Sequence, residues 1–571
     1  MQIRDDVQSV IAGLPPQVQA RLGALWGKQR GGFALLLGHM LDAAAVGEAI
    51  WDHYLSTSLR GRLDAAAGGN GRAFFAFACG IHDVGKATPS FQRQVEDLWR
   101  AVRATGLGAS PLLRGKGAHH ADAGGRIAHD LLAQAGWPVE AVDWVWPLVA
   151  GHHGVIRPGG EIYGRLRGIP PEATGWSDGV WPDPGWQAAQ RLLLEVVAQA
   201  VGYGQLDDAA PVSAPSRGTQ LVIAGLIIMA DWIASSGACH DKAQLLRELG
   251  MAASRRRALD AWRELGLRGG WDLSAPRPPG LMSRRFGRAA RPIQDLAETA
   301  AGELPCPGLL MVEAPMGEGK TEAALVAAEI LASRFGLDGL FVGMPTQATS
   351  DPMWQRVLRW TAAVEPGVPV ALSHGKARFN PGWRALIGPE WGVADIYDFD
   401  QPPSLESVAG GGAAEVARWF TGRERPLLTP VCVGTVDNLL HAATRTRRVA
   451  LRFAGLGGKV VVLDEVHSYS VYTGKFLQEA LRWLGSAGCP VVALTATLPP
   501  ALKRDLLAAY LEGATGASRD LPELRGTGYP LITWACSADG RPLLKEVAAA
   551  SGLPPRQVAV GVLEDTPDGN S

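Results

Sequence analysis

The stretch Ala73-Phe74-Phe75-Ala76-Phe77-Ala78-Cys79-Gly80-Ile81-His82-Asp83-Val84-Gly85-Lys86 joins an apolar run to an adjacent imidazole and carboxylate. The run is long enough for at least two helical turns, so we predict a core helix that ends at the pair. Polar groups at the buried end of a helix are costly unless something binds them. His129-Asp130 and His240-Asp241 repeat the dipeptide in polar surroundings, where we expect solvated surface residues.

Histidines are concentrated in the first part of the chain, where helical periodicity dominates. Eight of the twelve precede residue 154, at positions 39, 53, 82, 119, 120, 129, 152 and 153. Taken alone, His39 fits a hydrogen-bonded core histidine, and Asp231 fits a charge at the end of the apolar helix 220–235. We expect only one of His119 and His120 to face inward, and we leave His53 and His129 on the surface.

Together these segments can place several imidazoles and two carboxylates around one point, which predicts a metal site. Ligation rich in histidine favours Mn, Fe, Co or Ni over Mg, which prefers oxygen. A carboxylate such as Asp83 is suited to bridging two divalent transition metal ions. Two such ions can polarise a phosphoryl oxygen and activate a water.

Length and composition bound the possible classes of protein. At 571 residues the chain should hold two or three domains, and a net charge of −1 gives no global basic field. Six scattered cysteines without a CxxC pair suit a reducing cytoplasm. The first residues do not resemble a signal peptide, and the longest apolar run, 221–230, is too short to span a bilayer. We therefore expect a cytoplasmic protein with no membrane partner.

A nucleotide-binding pattern marks the second part. The apolar run 309–313 reads as a buried strand, and Ala314-Pro315-Met316-Gly317-Glu318-Gly319-Lys320-Thr321 follows it, before a predicted helix 323–335. Strand, glycine loop, Lys-Thr and helix are the context of a P-loop, in which Lys320 reaches the terminal phosphates of ATP and Thr321 holds Mg. A second buried strand, 460–463, ends in Asp464-Glu465, which predicts a carboxylate for Mg and one for the attacking water.

The predicted architecture is multidomain, with an all-α metal-dependent domain followed by an α/β lobe with a parallel sheet. We place the all-α domain at 1–240, a basic linker at 241–290, the ATP-binding lobe at 291–515 and the beginning of an incomplete second lobe at 516–571. Arg255-Arg256-Arg257 and Arg284-Arg285 lie in the linker. They fit either a solvated basic face or a path that contacts phosphates.

The order of the metal-site segments is distinctive. His39, His82-Asp83-Val84-Gly85-Lys86, His120, His152-His153-Gly154 and Ala230-Asp231-Trp232 follow one another in a pattern that resembles the HD nuclease domain of the Cas3 family, the CRISPR-associated helicase-nucleases. The resemblance implies catalytic roles for Asp83 and Lys86. It also implies a set of metal ligands: His39, His82, Asp83, His120, His152, His153 and Asp231. His120 is preferred to His119 because Gly124 follows four residues later.

The second part resembles the first RecA-like lobe of a superfamily 2 helicase, and its Asp464-Glu465-Val466-His467 form again resembles Cas3. The resemblance implies nucleotide binding by Gln294 in a Q motif, Gly317, Gly319, Lys320, Thr321, Asp464 and Glu465. Motifs Ia and Ib imply DNA contacts by Thr346 and Thr435. The Asp-Glu-x-His motif and motif III imply coupling through His467, Thr495 and Thr497.

By this resemblance we expect metal-dependent cleavage of single-stranded DNA in antiviral defence, coupled in the full-length family to ATP-driven 3′-to-5′ translocation. The implied partner is a type I CRISPR surveillance complex (Cascade). Residues 528–534 resemble the strand that opens a second lobe, and no Gln-x-x-Gly-Arg motif occurs. We therefore expect an N-terminal portion that is nuclease-competent and motor-deficient. Alternatives are an HD-type phosphohydrolase acting on small nucleotides or cyclic phosphodiesters, and a non-catalytic docking module.

Overall fold

The structure is a computed structural model of the 571-residue chain. It describes residues 6–28, 33–113, 117–154, 156, 159–177, 185–272, 280–387, 425–441, 449–469, 471–518, 520–526 and 528–552. The first part is helical apart from one short antiparallel pair of strands. Its elements are α1 (Asp6–Gly13), α2 (Pro16–Ala24), β1 (Trp26–Lys28), β2 (Ala34–Leu35), α3 (Leu36–His53), α4 (Thr57–Ala66), α5 (Gly71–Ile81), α6 (Pro89–Gln92), α7 (Glu96–Ala104), α8 (His120–Gln134), α9 (Val139–Ala150), α10 (Gly159–Gly168), α11 (Pro171–Thr174), α12 (Trp186–Ala200) and α13 (Arg217–Ser235).

The second part is an α/β lobe. Its elements are α14 (Met251–Glu264), α15 (Leu281–Phe286), α16 (Pro292–Glu303), β3 (Gly308–Glu313), α17 (Lys320–Phe335), β4 (Gly339–Met344), α18 (Gln347–Val364), β5 (Val370–Ser373), α19 (Pro381–Ile387), β6 (Val431–Thr435), α20 (Asp437–Leu440), α21 (Val449–Leu456), β7 (Lys459–Leu463), α22 (Val471–Ser486), β8 (Val491–Thr495), α23 (Pro500–Thr515), β9 (Leu531–Ala538) and β10 (Arg541–Ala548).

Eight strands form one sheet in the order β10-β9-β3-β8-β7-β4-β6-β5. The six strands from β3 to β5 are parallel, and β9 runs antiparallel to both β3 and β10. All six are buried along their whole length, and their residues are apolar except for single polar or charged residues at strand ends, such as Glu313 and Lys459. Such continuous apolar runs are typical of parallel sheets covered by helices on both faces. The predicted fold class, an all-α domain followed by an α/β lobe, is confirmed.

The segment that we expected to begin a second lobe belongs to this same sheet, so that prediction is wrong for residues 531–548. β9 pairs along β3 from Gly308↔Cys536 to Glu313↔Leu531. The Lys503 ammonium of α23 also connects these strands. It forms an ion pair with the buried Glu313 carboxylate of β3 and lies 3.8 Å from the Glu546 carboxylate of β10. An apolar strand pattern does not specify which sheet the strand joins. The tail 553–571 lies outside the described residues.

The basic segment 241–290 is not a solvated linker where it is described. Arg255 Nε lies 2.6 Å from Glu48 Oε2, and Arg257 Nη2 lies 2.6 Å from Asp42 Oδ1, so α14 is joined to α3 by two ion pairs. Arg285 pairs in the same way with the fully buried Glu329 of α17. Carboxylates thus pair with these three guanidinium groups and hold α14 and α15 in place, whereas Arg256 and Arg284 are exposed. The partners lie far away in sequence and could not be anticipated.

The helical domain and the α/β lobe meet along α13. A Cβ at Gly225 would lie 2.1 Å from the Ala450 carbonyl oxygen of α21, and one at Gly218 would lie 2.4 Å from the Ala487 nitrogen. Both glycines therefore allow backbone-to-backbone approach between the two domains. By length and composition α13 is also able to cross a membrane, but 72% of its apolar window is buried inside the protein. Such burial is typical of a core helix.

Candidate metal centre

The helix α5 delivers His82 and Asp83 to the interior. Phe74, Phe75 and Phe77 are fully buried, and the pair that follows the helix is 1% and 2% exposed. Gly80 allows α5 to approach α3, because a Cβ there would lie 3.1 Å from the Ala44 Cβ. The predicted core helix ending at a polar pair is present. The close approach of α3 brings its own buried imidazole, on His39, to the same point.

One oxygen of Asp83 faces a first group of ligands. His39 Nε2 lies 3.0 Å and His82 Nε2 lies 3.3 Å from Asp83 Oδ2. The same two nitrogens lie 3.5 and 3.4 Å from Oδ1 of Asp231, at the last turn of α13. Four ligand atoms from three helices and one turn therefore surround a single point.

The other oxygen of Asp83 faces a second group. His120 Nε2 and His152 Nε2 each lie 3.6 Å from Asp83 Oδ1. His153 Nε2 lies 2.8 Å from His120 Nε2, on the more exposed side of the group. Lys86 Nζ stands 2.6 Å from Asp83 Oδ2 and so lies at the edge of the first group. Asp83 alone connects the two groups through its two oxygens.

The donor atoms suit a metal. His82 Nδ1 donates to the Cys79 carbonyl at 2.7 Å, and His152 Nδ1 donates to the Val149 carbonyl at 2.6 Å. These bonds aim each Nε2 inward, where it can serve as a metal ligand once it carries no proton, as in metal-ligating histidines. Nε2 of His39, His82 and His152 and Oδ1 of Asp83 are buried without a hydrogen-bond partner among the described residues. Buried polar atoms without partners are costly, so this arrangement fits bound cations.

The charges lead to the same conclusion. Burial opposes the charged form of Asp83, yet Lys86 and His82 outweigh it and hold the pKa of this carboxyl well below its usual range. The pKa of Asp231 is likewise lowered, against burial, by His39 and His82. Burial and the neighbouring His153 lower the pKa of His152 to about 3, so its imidazole is neutral. Burial opposes the charged form of His82, but Asp83 and Asp231 outweigh it and raise the pKa of this imidazole to about 10, so a bound cation would take the place of its proton.

The structure brings together all seven residues that the sequence suggested as ligands. His119 caps α8, because its Nδ1 accepts from the Ala121 nitrogen at 3.3 Å. His119 is exposed and His120 is half-buried, so His120 is the more inward-facing of the pair, although His119 lies within ligand distance of His120 and His153. The other dipeptide, His129-Asp130, lies away from the cluster and is partly exposed. Its Asp130 carboxylate accepts from Arg126 and bonds to its neighbour His129.

Sequence reasoning missed two residues that hold the centre in place. A Cβ at Gly85 would lie 1.9 Å from the His120 carbonyl oxygen, so only glycine lets the turn after Asp83 pack on α8. Gln92, fully buried, donates from Nε2 to the carbonyls of Trp26 and Lys86, both at 2.8 Å. The glycine two residues after the His-Asp pair was the available signal for the first. Nothing in the sequence pointed to the second.

The glycine loop of the α/β lobe has the geometry of a phosphate-binding loop. Gly317 and Gly319 have φ values of 90° and 79°, which glycine adopts without strain. Lys320 begins α17 with Thr321 next to it, and its Nζ donates to the Ala314 carbonyl at 2.7 Å. Gln294 lies beside this loop and donates to the Gly319 carbonyl at 3.0 Å. The helix N-terminus and the loop together can receive an anion.

Polar residues follow the carboxyl ends of the parallel strands. Asp464 and Glu465 come directly after β7, and burial together with Glu465 raises the pKa of Asp464. His467 Nε2 lies 3.2 Å from Glu465 Oε2, and its Nδ1 lies 3.1 Å from Thr495 Oγ1. Thr495 Oγ1 in turn donates to the Thr497 carbonyl at 2.8 Å. A chain of contacts thus joins the carboxylate after β7 to the loop after β8.

Thr346 and Thr435 stand further along the same edge of the sheet. Thr435 ends β6 and pairs in register with Met344, the last residue of β4. Thr346 follows β4 by two residues and caps α18 through its side chain, which accepts from the Thr349 nitrogen. The two threonines that the sequence suggested as DNA contacts therefore both lie at the carboxyl end of the parallel strands, after β4 and β6.

Comparison with known proteins identifies the family. The family model described as "Cas3, HD domain" matches residues 26–239. A CRISPR-associated endonuclease/helicase Cas3 from Thermus thermophilus is 32% identical over 564 residues, covering 95% of this chain and 55% of that protein. Residues 26–239 belong to the Cas3 HD domain family, and the chain is similar to Cas3 proteins along nearly its whole length. Among solved structures, T. fusca Cas3 with ATP is similar, with 29% identity and a TM-score of 0.74.

That T. fusca match covers 93% of this chain and 57% of the other. The chain thus spans about half the length of the Cas3 proteins it matches. A chain in a structure titled "CRISPR RNA-guided surveillance complex, pre-nicking" is also similar, at 27% identity and a TM-score of 0.64. The match covers 93% of this chain and 55% of that one. The recognition of the family from the His-Asp motif series is confirmed.

Proposed function

We propose that this chain is a Cas3-type nuclease that hydrolyses phosphodiester bonds of single-stranded DNA at a centre of two divalent metal ions. One observation carries the proposal: the two oxygens of Asp83 face two different groups of candidate ligand atoms. A carboxylate placed in this way bridges two cations. His39, His82 and Asp231 would hold the first ion, and His120, His152 and His153 the second. The five histidines favour Mn, Fe, Co or Ni over Mg.

Two bound ions would polarise the phosphoryl oxygen and activate a water for attack on phosphorus. The residues of the chain position these components. The carbonyls of Cys79 and Val149 fix the tautomers of two ligating histidines. Lys86, held by Asp83 and partly exposed, is placed to donate to a phosphate oxygen at the edge of the centre. The more exposed His120–His153 side gives the substrate its entrance.

We further propose that the α/β lobe binds Mg-ATP. Lys320 and Thr321 would contact the phosphates and Mg, and Asp464 would hold Mg while Glu465 orients the attacking water. Gln294 would read the adenine, and His467, Thr495 and Thr497 would couple the nucleotide to the DNA held by Thr346 and Thr435. In the longer proteins of the family this lobe would serve ATP-driven 3′-to-5′ translocation. We place the protein in the cytoplasm, recruited to DNA by a type I surveillance complex.

The test is incubation of the 571-residue polypeptide with circular single-stranded DNA and Mn, Co, Ni or Mg, with and without ATP. We expect cleavage with a transition metal, no requirement for ATP and loss of cleavage with a chelator. Circular DNA is used because it reports endonucleolytic cuts. Release of phosphate or nucleoside from small nucleotides or cyclic phosphodiesters, with no cutting of DNA, would contradict the proposal and favour a phosphohydrolase. Absence of any hydrolysis would favour a docking module.

A further inference from the structure

Two lysines converge on the end of α13, beside the metal centre. Helix α13 ends at Ser235, four residues after the candidate ligand Asp231. Lys28, at the end of β1, donates from Nζ to the Ser235 carbonyl. Lys242, from the segment after α13, donates from Nζ to the Ser236 carbonyl at 3.4 Å. The side chain of Asp231 is 18% exposed, against 2% for Asp83, so the centre opens to solvent on this flank.

The position of Lys28 is fixed relative to the metal ligands. A Cβ on its neighbour Gly27 would lie 3.0 Å from the Leu36 Cα and 3.5 Å from the His39 Cβ, so β1 packs directly on the start of α3. Gln92 bonds the Trp26 carbonyl and the Lys86 carbonyl at once. β1 is therefore tied both to a ligand-bearing helix and to the turn after the His-Asp pair.

The two ammonium groups carry unbalanced charge. Within the part of the chain that the structure describes, neither forms an ion pair with a carboxylate, and the nearby Asp42 is already paired with Arg257. Burial, followed by repulsion from Lys242, lowers the pKa of Lys28 to about 7, although Asp231 attracts the charge. One lysine would be enough to cap the carbonyls of a helix end. A second lysine close enough to repel the first is explained by an anion that binds both.

We propose that Lys28 and Lys242 form a phosphate subsite, which binds the phosphodiester next to the one hydrolysed at the metal centre. The ligand is a single-stranded polynucleotide, since the subsite needs a second phosphate on the same strand as the bond that is cut. The inference rests on the proposed nuclease function and adds to it the side of the centre along which the strand runs.

The test compares two substrates with the Mn-loaded polypeptide: an oligothymidine strand, and thymidylyl-thymidine, whose only phosphodiester is the one to be cut. Lys28→Met and Lys242→Met should each lower the ratio of kcat/KM for the strand to kcat/KM for the dinucleotide by about tenfold, as for loss of a charged hydrogen bond. The slope of log kcat/KM for the strand against log salt should shrink by about 0.7 for each lost phosphate contact. Lys28→Arg should restore both quantities.

Lys545→Met is the matched control, because Lys545 lies on β10 and pairs with Glu303 far from the centre. It should leave the ratio and the salt slope at the wild-type values. Thermal denaturation of every variant shows whether it is folded. If Lys28→Met is unfolded, the comparison is made with Lys242→Met alone. An unchanged ratio and slope in folded Lys28→Met or Lys242→Met would overturn the subsite and mean that the lysines only cap α13. Wild-type protein that cuts neither substrate would overturn the nuclease function instead.

Discussion

At the scale of single residues, Asp83 has the position on which both ligand groups depend. Asp83→Ala should abolish DNA cleavage and lower the content of bound metal, because each group loses the carboxylate oxygen that Asp83 presents to it. The helices should remain folded, which circular dichroism measures alongside metal content and cutting of single strands. Asp130→Ala removes the carboxylate of the same dipeptide from a surface network and should change neither property. Full cleavage by Asp83→Ala would disprove the metal-centre assignment.

Gly85 affects the same centre because its lack of a side chain lets α8 pack against the turn after Asp83. Gly85→Ala should push α8 away, since its Cβ would lie 1.9 Å from the His120 carbonyl. Displacing a ligand in this way should weaken metal binding by about 10- to 100-fold, as measured by competition with a chelator.

Gly61→Ala is the matched control for this substitution. Gly61 lies exposed within α4 with no atom within 4 Å of an added Cβ. This variant should bind metal normally and gain about 0.5–1 kcal/mol in stability. Equal metal affinity of Gly85→Ala and wild type would show that α8 adjusts to the added methyl group.

At the scale of elements, the turn between β3 and α17 should bind nucleotide independently of the metal centre. Lys320→Ala should weaken ATP binding, measured by titration of a fluorescent analogue, while ATP-independent cleavage of single strands stays at the wild-type rate. The reason is that the Lys320 ammonium donates to a carbonyl of its own loop, whereas every proposed metal ligand precedes α14. Lys545→Ala serves as the lysine control on the same lobe. Our expectation that the polypeptide cuts DNA without turning over ATP stays a prediction.

The loop between α17 and β4 should make stability depend on pH. Asp338 is half-buried there, where its Oδ2 accepts from the Gly270 nitrogen, and desolvation raises the pKa of its carboxyl to about 6. A raised folded-state pKa means that the folded protein keeps this proton while the unfolded chain loses it. The stabilisation is therefore complete below about pH 4 and is lost as pH rises to about 6, on the order of 3 kcal/mol in all.

Asp338→Asn keeps the accepting oxygen and removes the titration. The difference in free energy of unfolding between wild type and Asp338→Asn should change between pH 4.5 and 7.5, in favour of the variant at the higher pH. Chemical denaturation at a series of pH values measures this difference. A constant difference across the range would show that Arg60 and Lys459, which lower this pKa, compensate the buried charge fully.

The elements also show what the sequence could and could not predict. Periodicity located α5 and α13 to within a few residues, because each buries apolar residues that the sequence displays. It did not assign β9 to its sheet, since its pairing with β3 joins residues more than two hundred positions apart. In the same way, the sequence suggested that Arg255 and Arg257 were linker charges, because their partners Glu48 and Asp42 lie about two hundred residues earlier, on α3. Motifs with fixed spacing revealed ligands, whereas long-range partners such as Gln92 left no local signal.

At the scale of the whole molecule, α13 links the two candidate sites. Its first turn bonds to the segment before β8, where the Gly218 nitrogen donates to Ser486 Oγ at 3.0 Å. Its middle packs on α21, directly before the strand that leads to Asp464 and Glu465. Its last turn carries Asp231. A helix in contact at both ends and in the middle holds the metal centre and the helicase motifs in one body.

If α13 fixes the distance between the two candidate sites, that distance corresponds to a number of nucleotides of single-stranded DNA. A single strand that reaches both the metal centre and the threonines at 346 and 435 must contain a minimum number of nucleotides, and shorter strands engage one site at a time. We expect the KM of short oligonucleotides to be insensitive to Thr346→Ala and Thr435→Ala, and the KM of longer ones to rise in both variants. The length at which sensitivity appears, measured on a ladder of oligothymidines, gives the distance between the two sites in nucleotides. A response that grows smoothly from the shortest strand upward would mean that the two domains move freely relative to each other.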